Sequence, residues 1–299
     1  MTGTSELKTA SGRFPETRKP ATYVLVHGAW HGSWCWKRVR KGLHDTGHQV
    51  FTPTLTGVGE RSHLNAATVD LSTHIADVVN LLLWEDLSDV ILCGHSYGGS
   101  VIRGTADRVP ERIRKLVYLD AFVPEDGESL FDLAPEHAQL LRLQAKTVGA
   151  GWNVPPIPAE RFNVNPADAA WVNAQCTPQS SASFEERIKL NRTPSGAHDS
   201  VYVLATGWEN SPFPAAHERA RAKGWQTYTV PCGHEVMLDI PGEVTDLLSE
   251  FATSATPWNR HAVSSKRSAE GPPTPSKQTS ANLKLPLGHR ERYHPEKQS

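Results

Sequence analysis

Short, unbroken apolar runs alternate along this chain with stretches in which apolar residues recur at helical spacing. Residues 22–27, 48–52, 89–93, 113–119, 200–205 and 225–230 read as strands, each compact and flanked by turn-forming residues. Between them, 33–46, 70–84, 97–108, 213–223 and 241–252 read as helices. The second of these carries Leu71, Ile75, Val78, Val79, Leu82 and Leu83 as one apolar stripe. Strands that alternate with helices predict an α/β fold, with a mainly parallel sheet of about six strands covered by helices on both faces. The alternation breaks at 124–199, which holds the Pro-rich run Val154-Pro155-Pro156-Ile157-Pro158 and helical stretches near 135–146, 166–174 and 181–190. That segment reads as a helical cap inserted after the strand that leads to Asp120. The folded core then spans 21–256, preceded by a polar extension at 1–20. From 257 to 299 Ser, Pro, Lys, Arg and Gln dominate, the composition of a disordered basic tail.

Composition narrows the function classes. With 31 basic and 32 acidic residues the net charge is −1, so no nucleic-acid footprint or polyanion partner is expected. The four cysteines, Cys35, Cys93, Cys176 and Cys232, lack metal-ligand spacing, and Cys93 reads as a small buried hydrophobe. No bound metal and no cofactor are expected. Residues 1–20 carry no apolar leader core and no apolar run reaches membrane-spanning length, so the expectation is a cytoplasmic enzyme that engages no membrane.

The chemistry concentrates at Gly94-His95-Ser96-Tyr97-Gly98, which sits between a predicted strand and a predicted helix. In that context the pattern describes a nucleophile elbow, a sharp turn that lifts a serine hydroxyl above the sheet edge. Ser96 needs a base, and His234 follows the last predicted strand on a loop, late in the chain. His44, His48, His63 and His74 read as solvated surface residues, His95 as pointing away from the reaction centre, and His27 as a loop brace. Small residues after the first strand place the backbone N–H of Ala29, with that of Tyr97, as an oxyanion-hole pair. Among Trp30, Trp34, Trp36, Trp152 and Trp171, the one expected to line a substrate pocket is Trp30, beside Ala29. For each of these tryptophans core packing weighs at least as much as ligand contact, for Trp34 and Trp36 especially.

Val24 to Trp36, Thr52 to Arg61, Tyr118 to Pro124 and Gly233 to Met237 together resemble the α/β-hydrolase family. Within it, the resemblance is to the branch of bacterial pyrethroid-hydrolase-type carboxylesterases, plant salicylate-binding methylesterases and hydroxynitrile lyases. It spans roughly residues 21 to 255 and implies Ser96 as nucleophile and His234 as base, with Ala29 and Tyr97 as oxyanion donors. Many members place their acid after the strand before the last one. Here that stretch reads Thr206-Gly207-Trp208-Glu209-Asn210, without an aspartate. Two carboxylates remain as the acid: Asp120, at the end of the strand after the elbow helix, and Glu209. Asp120 is preferred, because an aspartate ending an apolar strand needs a partner.

The expected activity is serine carboxylesterase hydrolysis of a small to medium apolar or aromatic ester through an acyl-enzyme on Ser96. A hydroxynitrile lyase is disfavoured, since the resemblance implies a threonine and a lysine where this chain has Gly28 and Glu235. A polyketide-processing enzyme on the same residues, or a non-catalytic small-ligand receptor, are the other readings. The expected partner is a small-molecule ester, with a homodimer left open.

Overall fold

The run Tyr23–Val26 is fully buried and forms most of β1 (Thr22–Val26), the strand on which the rest of the sheet is assembled. The computed structural model describes residues 20–191 and 199–253. These belong to one unit, Met1–Trp258; the second unit, Asn259–Ser299, and nearly all of the 1–20 extension lie outside the described residues.

After β1 come α1 (Lys37–Asp45), β2 (Gln49–Phe51), α2 (Leu71–Trp84) and β3 (Val90–Ser96). Asp70 caps α2, its carboxylate accepting the Thr73 N–H at 2.8 Å. Then follow α3 (Gly98–Arg108) and β4 (Ile113–Ala121). The segment between β4 and the next long strand contains α4 (Leu130–Leu133), α5 (Pro135–Val148), β5 (Asn153–Val154), α6 (Pro166–Gln175), β6 (Gln179–Ser180) and α7 (Ala182–Glu185). The chain closes with β7 (Asp199–Ala205), α8 (Phe213–Ala222), β8 (Gln226–Val230), α9 (Val236–Asp239) and α10 (Pro241–Thr253).

Six strands form one sheet in the order β2-β1-β3-β4-β7-β8, every neighbouring pair parallel. Helices α1 and α10 pack together, as do α2 and α3, and flank the sheet. Burial of β1, β3 and β7 on both faces explains their apolar runs, whereas the edge strands β2 and β8 are partly exposed. From β1 the chain steps outward to β2, then returns to β3 on the other side and continues outward. That reversal leaves a crevice beyond the carboxyl ends of β1 and β3, where ligands bind in open α/β sheets. No helix among the described residues is long and apolar enough to cross a membrane.

Three details differ from the sequence expectations. The helix expected at 181–190 is only Ala182–Glu185. Glu186 leaves it in an extended conformation, and its carboxylate reaches the Ser72 amide and hydroxyl at 2.7 and 2.6 Å. The cap also contains an antiparallel β5–β6 pair that its short, polar sequence does not announce. His48 and His74 are buried rather than solvated. His48 accepts the Ala21 N–H at 3.2 Å. His74 lies on the apolar face of α2, donating to the Thr56 carbonyl and accepting the Tyr97 hydroxyl, both at 2.8 Å.

Two glycines make the β3–α3 turn. A Cβ on Gly94 would lie 2.5 Å from the Gly98 carbonyl oxygen, and one on Gly98 would lie 2.7 Å from the carbonyl oxygens of Val26 and His27. Each contact is with backbone, which cannot yield by rotating a side chain. Gly98→Ala is therefore expected to lower stability by about 2–3 kcal/mol in urea unfolding; a change under about 0.5 kcal/mol would show that the turn relaxes freely.

Candidate active site

The turn between β3 and α3 holds Ser96 at φ +54°, in the left-handed region that a non-glycine residue enters only when its surroundings impose it. The glycines on either side allow strand and helix to pass at that distance, and the half-buried serine is left facing the crevice.

Asp120 reaches the same crevice through an irregularity in β4. His95 pairs with Leu119 but Ser96 pairs with Ala121, so Asp120 is an extra residue in the strand. Its φ is +44°. Such a bulge turns a side chain out of the regular alternation. The Tyr202 hydroxyl pins it, donating to the Ala121 carbonyl at 2.8 Å and accepting the Ala121 N–H at 3.2 Å. The carboxylate is completely buried. Its Oδ1 accepts the Ala205 N–H at 3.0 Å, and its Oδ2 lies 2.7 Å from His234 Nδ1. Burial pushes the Asp120 carboxyl above the usual carboxylate range, while His234 and the Ala205 amide pull it down.

Because Nδ1 of His234 faces a carboxylate, it carries the proton, and Nε2 is the basic nitrogen. Aromatic rings surround the imidazole: Phe213 stacks on it at 5.0 Å and 14°, with Trp208 at 4.9 Å and Phe162 at 5.3 Å. Ser96 and His234 line one narrow cavity of about 40 Å³, together with Ala29, Trp30, Tyr97 and these rings.

The loop after β1 is held from several sides. The His27 ring accepts the Leu55 N–H at its Nε2 (3.0 Å), so its Nδ1 donates to the Gly28 carbonyl, 2.7 Å away. Burial lowers the His27 pKa to about 3, which keeps the ring neutral in this role. A trans peptide whose carbonyl is fixed has its N–H fixed in the opposite direction, and that N–H belongs to Ala29. Trp30, at φ +64°, is tied to the cap. Its amide donates to Gln179 Oε1 at 2.9 Å, its indole to the Val154 carbonyl at 3.1 Å, and its own carbonyl accepts from Thr177 at 2.9 Å.

The structure thus brings Ser96, His234, Asp120, Ala29, Tyr97 and Trp30 to one cleft. Glu209 is elsewhere: exposed, it lines an outer basin of about 620 Å³ with Glu136, Glu160 and Arg161. That basin shares His137, Ile157, Phe162 and Trp208 with the inner cavity. Trp34, Trp36, Trp152 and Trp171 do not line the inner cavity. Trp36 is fully buried and Trp34 packs edge-on against Trp171 at 5.0 Å. Sequence reasoning missed Trp208 and Phe213 as walls of the site; their position just after β7, where an acid was being sought, was the available signal.

A family model described as "Alpha/beta hydrolase family" matches residues 23–247. A carbendazim hydrolyzing esterase from Nocardioides sp. (strain SG-4G) is 47% identical over 240 residues, covering 77% of this chain and 98% of the relative. An extracellular alpha/beta-hydrolase from a Paenibacillus species superposes with a TM-score of 0.66 at 26% identity, over 77% of this chain and 98% of its own. That protein is described as sharing structural and functional homology with tobacco salicylic acid binding protein 2. A pyrethroid hydrolase shares the fold, with a TM-score of 0.62 at 21% identity over 78% of this chain and 98% of its own.

Proposed function

From the premise that this chain belongs to the alpha/beta hydrolase family and is an ester-hydrolysing enzyme, we propose that it is a serine carboxylesterase working through an acyl-enzyme on Ser96. The observation that carries this reading is the 2.7 Å His234–Asp120 contact on a cavity that Ser96 shares. Ser96 Oγ attacks the ester carbonyl while Nε2 of His234 takes its proton. Asp120 holds the ring in the tautomer that makes Nε2 basic and stabilises the imidazolium that forms. The N–H groups of Ala29 and Tyr97 face the developing oxyanion; no other group among the described residues claims them. His234 then protonates the leaving alkoxide and activates water to release the acid.

The substrate is a small to medium apolar or aromatic ester. The inner cavity is narrow and walled by Trp30, Phe122, Phe162, Phe184, Trp208 and Phe213, which suits a compact apolar or planar group beside the reacting carbonyl. A larger or more polar remainder passes Trp208 and Phe162 into the outer basin. Glu235 places a buried carboxylate beside His234, where a lyase would need a cation, and this supports hydrolysis.

The test is a p-nitrophenyl ester series from acetate to decanoate, with carbendazim included because the Nocardioides relative is named for it. The expected result is a burst of about one p-nitrophenol per chain, with an acyl adduct on Ser96 seen by mass spectrometry. No burst and no adduct with any ester, from a folded protein, would overturn the proposal. Trp208→Ala should shift the preferred acyl group to longer chains by opening the way to the basin, read as a change in the order of kcat/KM across the series.

A further inference from the structure

Behind the reacting groups lies a charged cluster that the mechanism above leaves unused. His31, His95 and Glu235 are 3%, 0% and 1% exposed, and neither His31 nor Glu235 lines the cavity. His31 Nδ1 lies 2.6 Å from the Ala29 carbonyl oxygen, and its Nε2 lies 3.4 Å from Oε2 of Glu235. The Ala29 carbonyl is an acceptor, so Nδ1 carries a proton; the Glu235 oxygen makes no hydrogen bond at 3.4 Å, but its charge favours a second proton on Nε2, which makes the ring an imidazolium. It stacks on Trp34 at 4.9 Å. Glu235 is the residue that follows His234. His95, the residue before Ser96, donates from Nε2 to the His234 carbonyl at 3.0 Å. Its Nδ1 stands 3.9 Å from the same Glu235 oxygen, too far for a hydrogen bond.

We infer that His31 and Glu235 are a positioning pair for ester hydrolysis: their buried ion pair ties the oxyanion loop, through Ala29, to the segment that carries His234. His95 supplies a second tie from the elbow to the same segment. The inference rests on the roles proposed above for Ala29 and His234. The His234 loop is the common anchor, joined to the loop after β1 by the His31–Glu235 contact and to the elbow by the His95 hydrogen bond, both buried. The peptide between Ala29 and Trp30 is gripped at both ends, its carbonyl by His31 and its N–H by Gln179.

The charges agree with this picture. Burial alone would strip the proton from His31, but Glu235, with Cys176 3.9–4.0 Å from the ring, raises its pKa to about 10. Glu235, for which burial would favour the neutral acid, is instead held below the usual carboxylate range, chiefly by the His31 cation. The other titratable groups facing His31 are His27 and His95, both lowered to about 3 by burial and hence neutral. Cys35, near Glu235 and Cys176, is pushed up by burial and also stays neutral. A raised histidine pKa stabilises the fold in full below the ordinary imidazole value of about 6.5, and that contribution is lost as the pH climbs through about 10.

The experiment compares His31→Phe, Glu235→Leu and the double variant, with p-nitrophenyl acetate turnover and Tm measured together. Each single variant strands a buried charge or its partner and should lower Tm by about 10 °C. The double variant replaces the pair with apolar groups and should recover most of that loss. Its kcat should nevertheless stay about ten- to a hundredfold below wild type with KM within about threefold, as expected when reacting groups are slightly misplaced. A double variant with wild-type Tm and wild-type kcat would overturn the inference. Two measurements need no variant. Nitrogen-15 spectra of histidine-labelled wild type should show one imidazolium surviving at pH 9, and kcat should fall as that signal disappears near pH 10. No histidine cation at pH 9, or a kcat indifferent to its loss, overturns the inference as well. Labelling with an organophosphonate separates this from the reading beneath it. If wild type is not labelled on Ser96, the serine mechanism fails, and the inference with it. If wild type and the double variant are labelled at the same rate, only the positioning role fails.

Discussion

Ser96→Ala is expected to reduce kcat for p-nitrophenyl acetate by about 10⁶-fold, the order of loss that serine hydrolases show when the nucleophile is removed. The residual rate, about 10³–10⁴ over water, would come from binding and from the oxyanion donors alone. The substitution keeps the Cβ and removes only a hydroxyl that faces the cavity, so Tm should move by no more than a few degrees. The backbone strain at φ +54° is retained, because alanine is no freer there than serine. Loss of activity with an unchanged melting curve is thus a statement about chemistry rather than folding. Activity within a hundredfold of wild type would mean that Ser96 does not attack the ester.

Asp120→Asn carries the second largest effect, a fall in kcat of about 10⁴-fold. The asparagine amide can donate to Nδ1 of His234, which would transfer the ring proton to Nε2 and remove the base. The carboxamide oxygen can still accept the Ala205 N–H, a contact of 3.0 Å in the native protein, so the bulge should survive. Glu209→Gln is the paired control and should change kcat by less than about twofold, the result expected for an exposed carboxylate on the basin rim. If the glutamine variant lost more than the asparagine variant, the acid would have to be reassigned.

Much of the fold was legible because a parallel sheet buries its strands on both faces, and apolar runs such as Val90 to Cys93 then have few other readings. That Ser96 and His234 share one cavity was legible because a strand-to-helix turn and a loop after the last strand are both visible as local pattern. Asp120 could be named but not placed, since the bulge that aims it depends on a register shift against β3. His74 was misread although its position is consistent with burial: it shares the helical face of Leu71, Ile75, Val78 and Leu82. Its polarity outweighed its spacing, and only the partners Thr56 and Tyr97, distant in sequence, make burial affordable. The His31–Glu235 pair is a long-range meeting that no local pattern encodes.

The three hydrogen bonds that join Trp30 to Gln179, Val154 and Thr177 have a consequence for recombination. A cap borrowed from a relative to change selectivity would arrive without those partners unless it matched them at the donor and acceptor positions. Trp30 would lose its anchors, and the Ala29–Trp30 peptide would lose the hold of Gln179 and keep only that of His31. A chimera that keeps the native 152–154 and 177–180 stretches should retain turnover, while one exchanging them wholesale should bind esters and hydrolyse them poorly.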